Sequence, residues 1–185
     1  MLGFNLSSRP GVHAHVEALK KRFRKRYWCL YHLRKAGFLD GDLAKVYRSV
    51  ILPIADYCSP GYHSLLTDEQ DQAIERLQSQ ALRCIYGPDV PYAEMRRRAG
   101  VATLRQRRIE SCDKFAAKCL GSKNFSHWFP EKRSARSSQR RGEKFVEEYA
   151  RCDRLKNSPN FFMRRRLNGK PGKYYGERKR KYRDT

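Results

Sequence analysis

Apolar side chains recur three or four apart at the start of the chain, at Val12, Val16, Leu19, Phe23, Tyr27 and Leu30. At about 100° per residue these positions form one stripe, which predicts a helix from about Val12 to Lys35 with a single buried face. Gly37 ends it. Asp40-Gly41-Asp42 opens a second helix with Leu43, Val46, Tyr47, Val50 and Ile51 inward. Pro53 is expected to kink that helix rather than stop it, because Ile54 and Tyr57 continue the period. The stretch CSPGYHS, Cys58 to Ser64, reads as a turn. Thr67-Asp68-Glu69-Gln70 has the spacing of a capping box and opens a third helix, with Ile74, Leu77, Ala81 and Ile85 inward and Gly87-Pro88 at its end. A short helix covers about Tyr92 to Ala99, stopped by Gly100. Thr103-Leu104-Arg105-Gln106 repeats the capping-box signature and opens a helix to about Leu120, ended by Gly121, with Ile109, Cys112, Ala116 and Cys119 inward. Beyond Pro130 the periodicity fades. A short amphipathic piece around Phe145, Val146 and Tyr149 reads as helical, and the rest is too polar and charged to fold without a partner. No convincing period-two segment occurs outside a few N-terminal residues, so the expected fold is all-α.

Charge alters this picture more than composition does. The 185 residues carry 41 Lys and Arg against 19 Asp and Glu, a formal +22. Such an excess repels itself in a compact state and binds polyanions, so nucleic acid is the first partner to consider and an anionic membrane surface the second. Residues 131–185 hold 19 basic against 7 acidic side chains, and the first 130 hold 22 against 12. The front therefore reads as a globular domain with a basic surface and the back as a basic tail. No run of about 20 apolar residues exists to span a membrane, and the N-terminus lacks the apolar centre of a signal peptide. The chain is expected to be nuclear or cytoplasmic and not secreted. Six scattered cysteines with no C-x-x-C pair fit reduced thiols, most of them small core residues.

Chemistry has few candidates. His15-Val16-Glu17 has the H-x-E of zinc deaminases but no P-C-x-x-C partner, and His13 and His15, two apart on a helix, point in different directions. Cys112, Cys119, His127 and Cys152 are spaced too widely for a zinc knuckle. Gly169-Lys170-Pro171-Gly172-Lys173 lacks the spacing of a phosphate-binding loop. Asp40/Asp42 and Asp68/Glu69/Asp71 sit at helix starts, where acids serve caps and the helix dipole. The expectation is no metal, no cofactor, no small-molecule substrate and no catalytic residue.

Basic residues interleaved with aromatics are the positive signal. Lys21, Arg24, Lys25 and Trp28 share the face of the first helix opposite its apolar stripe, with His32 one turn beyond. A tryptophan there stacks on a base or sugar, contacts another domain, or stands on a merely solvated face. Arg96, Arg97 and Arg98, with Arg105, Arg107 and Arg108, flank the Gly100 turn, and guanidinium forks suit phosphates. Arg164, Arg165 and Arg166 follow Phe161-Phe162, and the Arg178-Lys179-Arg180-Lys181 run follows Tyr174-Tyr175. Nuclear import and loose phosphate binding both fit these two runs.

The order of these pieces resembles the region downstream of the palm in reverse transcriptases of non-LTR (LINE-like) retrotransposons. The likeness runs from Leu2-Gly3-Phe4 and the His15-Val16 helix through LRKAG (Leu33 to Gly37) to VYRSVILPIADYCSPGYHS. It continues in IERLQSQALRCIYG, in AGVATLRQRRIESCDKFAAKC and in ARCDRLKNSPNFFMRRRLN, spanning about residues 2–168. His63 departs from it, standing where the family often carries a tryptophan nearby. The resemblance implies the end of a palm domain with a short strand remnant at 1–10, a small helical thumb-like bundle at 11–121 and a basic, largely disordered extension at 122–185. It implies grip on the primer–template duplex of RNA and DNA, next to the parent polymerase's palm. The palm aspartates would precede Met1 in a truncated or decayed copy, so the chain is expected to be inactive alone. A stand-alone basic RNA-binding protein of a ribonucleoprotein is the alternative.

Overall fold

The computed structural model describes residues 12–131, 144–147 and 151–170. Among these residues the fold is helical, with one isolated antiparallel bridge, Glu131 to Phe145, as its β-structure. The expected strand remnant at residues 1–10, Tyr149 and the 178–181 basic run lie outside the described residues. Two compact units emerge, one from residues 1–58 and 69–107 and the other from 59–68 and 108–185. Residues 59–68 pack with the C-terminal half of the chain.

In the first unit, α1 spans His13–Lys35 and buries Val16, Leu19, Phe23 and Leu30, the stripe its sequence carries. Burying each of these side chains contributes about 1.5–3 kcal/mol. That stripe packs α1 against α2 (Asp40–Val46), against a π-helical segment (Tyr47–Ile51) and against α3 (Leu52–Asp56). The kink expected at Pro53 takes the form of that π segment. Proline offers no amide hydrogen to the carbonyl four residues back and would crowd it. The turn before it widens instead, and the Leu52 amide donates to the Tyr47 carbonyl five residues back. Val50 consequently rotates outward and is exposed, contrary to its expected inward place, and Tyr57 is exposed as well.

α5 (Asp68–Tyr86) buries Ile74, Leu77, Ala81 and Ile85 as expected, together with Gln78 and Leu82. α6 (Tyr92–Ala99) ends where Gly100 turns left-handed at φ 63°, and the Val101 amide reaches back to the Arg96 carbonyl at 3.0 Å. α7 (Leu104–Leu120) opens with both arms of the capping box. The Gln106 amide donates to Thr103 Oγ1 at 3.1 Å, and the Thr103 amide donates to Gln106 Oε1 at 3.2 Å. A polar network ties α5 to α6 and to the start of α7. The Tyr92 hydroxyl donates to Glu75 Oε1 at 2.6 Å, the Leu104 amide to Glu75 Oε2 at 3.1 Å and Gln78 Nε2 to the Ala102 carbonyl at 3.1 Å. Burial, then the Glu75 carboxylate, push the Tyr92 hydroxyl far above the ordinary tyrosine range.

The second unit differs from expectation at three places. Residues 59–65 are helical, as α4 (Ser59–Tyr62) and a 3₁₀ turn (His63–Leu65), with Ser59, Tyr62, His63 and Ser64 buried. The chain enters them through Cys58, whose φ of 56° makes the reversal that the Ser-Pro-Gly sequence suggested one residue later. The C-terminal region, expected to be largely disordered, contains the two short helices α8 (Asp153–Lys156) and α9 (Pro159–Leu167). Phe162 and Met163 join Cys112, Ala116, Cys119, Phe129 and Phe145 in one apolar cluster. Burial, then the neighbouring Asp113, raise the Cys112 thiol to about 12. Residues 144–147 are extended rather than helical. Asn168 Oδ1 accepts the amides of Lys144 and Phe145 at 3.0 and 2.8 Å, and its Nδ2 donates to the Phe145 carbonyl at 3.0 Å. α9 also packs against α4 and the 3₁₀ turn, where the His63 and Phe162 rings meet edge to face at 5.1 Å.

Candidate nucleic-acid interface

Of its 23 residues, α1 carries eight Lys or Arg and a single acid, Glu17. Glu17 is paired with Lys20 at 2.7 Å, which, ahead of the nearby positive charges, lowers its carboxyl below the usual range. Because the apolar stripe takes one side of the helix, the cations are confined to the rest. Lys21, Arg24, Lys25 and Trp28 all lie exposed on the face opposite the stripe, as expected. Lys21, Arg24 and Lys25 make no ion pair among the described residues. With Glu17, Ala18 and Lys20 they line a shallow open depression.

Toward the C-terminal end the same face turns aromatic. The Trp28 side chain is 65% exposed, and its ring lies against that of His32 with centroids 3.9 Å apart and planes 59° apart. Tyr31 is exposed and meets His32 edge to face at 5.6 Å, while the Lys35 ammonium stands 5.0 Å from the centre of the Tyr31 ring. Tyr31 and Lys35 were missing from the residues chosen on sequence. Their positions, 10 and 14 residues after Lys21, place them within about 80° of it on the helix, so the spacing carried the signal. Seven side chains from Lys21 to Lys35 therefore occupy one face about 21 Å long.

The arginines around Gly100 are more committed. Arg96 is half-buried with its guanidinium 5.1 Å from the centre of the Tyr92 ring. Arg97 and Arg98 are exposed, and both donate to Glu94, at 2.7 and 2.8 Å from Arg97 and 2.9 Å from Arg98. Those hydrogen bonds hold the Glu94 carboxyl down to about 2. Arg105 approaches Asp71 at 3.9 Å. Arg107 forks onto Asp56, at 3.1 Å through Nε and 2.5 Å through Nη2. Arg108 departs from expectation altogether. It is fully buried and donates from Nε to His63 Nδ1 at 3.4 Å, so it has no route to a phosphate at the surface.

Arg164, Arg165 and Arg166 belong to the second unit and also serve its packing. Arg164 is buried, donating to the Trp128 carbonyl at 2.7 Å, with its guanidinium 5.6 Å from the centre of the Phe161 ring. Arg166 forks onto Asp113 at 2.8 and 2.6 Å, and Arg165 stands 3.9 Å from Glu147. The run that read as loose phosphate-binding charge thus fastens α9 to α7 and to the 144–147 segment. Among the described residues no group of His, Cys, Asp or Glu is arranged to hold a metal ion, and no helix is long and apolar enough to cross a membrane.

Fold and surface together define a helical protein with an exposed, aromatic-tipped basic face on its α1 helix. No family model, no curated protein and no solved structure matches the chain.

Proposed function

We propose that this chain is the thumb and downstream part of a non-LTR retrotransposon RNA-directed DNA polymerase, gripping a nucleic-acid backbone and carrying no catalytic residue of its own. One observation carries the binding half of that reading: the α1 face presents Lys21, Arg24 and Lys25 with no carboxylate within ion-pair distance among the described residues, beside an exposed indole. Cations held in ion pairs must give up a partner to bind phosphate, whereas these need only shed water and counterions. The polymerase half rests on the order of motifs from Leu2 to Asn168. The partners are RNA and DNA in a primer–template duplex, contacted mainly through phosphates, and the palm of the parent polymerase. The compartment is nuclear or cytoplasmic.

Fluorescence anisotropy of a labelled RNA–DNA hybrid tests this. Affinity should fall steeply with salt, and Lys21→Ala/Arg24→Ala/Lys25→Ala should weaken it. Equal, weak binding to heparin and hybrid would defeat a thumb role. A stand-alone RNA-binding protein of a ribonucleoprotein is the second reading. It is favoured by the second unit, whose apolar cluster is built from this chain's own side chains. Stable co-sedimentation with a ribonucleoprotein particle would decide for it.

A further inference from the structure

The α1 face is not uniform, and its two ends ask for different chemistry. Lys21, Arg24 and Lys25 at the N-terminal end offer three cations ahead of the rings on that face. From Trp28 onward the same face offers an indole, a phenol and an imidazole in mutual contact. A purely phosphate-binding face gains little from exposed rings, which cost free energy to leave in water. A duplex cannot use them either, because its bases are already stacked on one another and present only their edges in the grooves.

We infer that this face takes single-stranded nucleic acid, with Lys21, Arg24 and Lys25 following the phosphates and Trp28 stacking on an unpaired base. The proposal rests on the backbone-binding reading above and adds to it a stacking platform. Three features support it. The Trp28 ring is backed on one side by His32 at 3.9 Å, which restrains its rotamer while the side chain stays 65% exposed. Restraint before binding reduces the ordering cost at the moment of stacking. The Lys35 ammonium, held over Tyr31 at 5.0 Å, places another cation at the aromatic end, where the next phosphate would run. Finally, the one carboxylate of the helix, Glu17, lies four residues before Lys21 and is neutralised by Lys20, so nothing on α1 opposes a polyanion along the remaining length. The mixture of a cationic track and stacking rings is the general solution for sequence-tolerant single-strand binding.

The full-length chain is titrated with an oligothymidylate about 15 nucleotides long, the matching oligouridylate, and an abasic phosphodiester of equal length and charge, while tryptophan fluorescence is followed. The base-containing strands should bind roughly tenfold more tightly than the abasic one and quench the indole emission. Trp28→Leu should erase that tenfold difference without changing the abasic affinity, and Trp28→Phe should retain part of it. Thymidylate against uridylate then reports whether DNA and RNA are treated alike. Equal affinity for base-containing and abasic strands would overturn stacking while leaving backbone binding intact, with the aromatic end then a protein contact. Failure to bind any of the strands, with the RNA–DNA hybrid still bound, would overturn the single-strand proposal alone, and failure of the hybrid as well would overturn both readings. Trp28 is exposed, so its substitution leaves the core untouched, and an unchanged melting temperature checks this.

Discussion

Replacing Arg108 by alanine should unfold the chain more readily rather than weaken its grip on nucleic acid. On sequence Arg108 stands beside Arg105 and Arg107 and looks like one of three phosphate-seeking guanidiniums. In the structure it is fully buried, and its Nε donates to His63 Nδ1, an acceptor available only on the neutral imidazole. Truncation removes two buried methylenes, Cγ and Cδ, about 1.6 kcal/mol at about 0.8 kcal/mol each. It also leaves the His63 nitrogen without that donor, which costs about 1–3 kcal/mol in a buried position. Against this stands the relief of no longer desolvating a guanidinium, so the net expectation is a loss of about 3 kcal/mol. For a chain of 185 residues that corresponds to a fall in melting temperature of roughly 6–12 °C. Arg108→Met keeps an apolar stem of similar reach and should recover about half. Thermal melts by circular dichroism at 222 nm measure the loss, and hybrid binding well below the melting temperature should match the parent chain. A variant that melts like the parent and binds several-fold more weakly would refute the reasoning, since Arg108 would then be a surface contact.

Removing the α1 cations should do the opposite. Lys21→Ala/Arg24→Ala/Lys25→Ala should leave the melting temperature within about 1 °C. The slope of log affinity against log salt should become shallower by about 2.7 on duplex, or about 2 on a single strand, and an unchanged slope would exclude these side chains from phosphate contact. The Glu94 carboxyl, held to about 2 by Arg97 and Arg98, has a folded value below its unfolded one. Its contribution is therefore complete above about pH 4.5 and is lost as pH falls toward 2, and a side-chain carboxyl titration by NMR with a midpoint above 4 would contradict the fork. Cys29 and Cys152 are exposed, whereas Cys112 and Cys119 are buried with raised thiol values. An aromatic disulfide reagent at pH 8 should label the first two in the native chain and the last two only after denaturation, and early labelling of Cys112 would mean its cluster opens.

What could be read from the residues in advance follows the range of the forces involved. The α1 stripe, the Thr103–Gln106 box and the Gly100 stop depend on neighbours within about four positions, and each stands where its spacing put it. The π segment before Pro53 was visible only as a kink, because periodicity does not say whether a strained turn bends or widens. α9 escaped detection for another reason. Phe161, Phe162 and Met163 are buried in succession, which leaves no polar side to reveal a period, and three arginines follow at once. Those arginines read as solvated charge because their partners are remote. Asp113 lies 53 residues from Arg166, and Asp56 lies 51 from Arg107. Charge counts pair nothing, so sequence found the cations but not which of them were already engaged. The α1 face was legible because its cations have no such partners.

The packing of α9 against the 59–65 helical stretch sets a schedule during synthesis. Tyr62, His63 and Ser64 reach the ribosomal exit about 100 residues before the α9 residues that cover them. At about 5–20 residues per second the interval is roughly 5–20 s. Through that time Tyr62 and His63 are ring surface waiting for the last fifth of the chain. A product ended before α9 would carry that surface permanently, which makes the C-terminal helix the step that completes burial of a segment made in the first third.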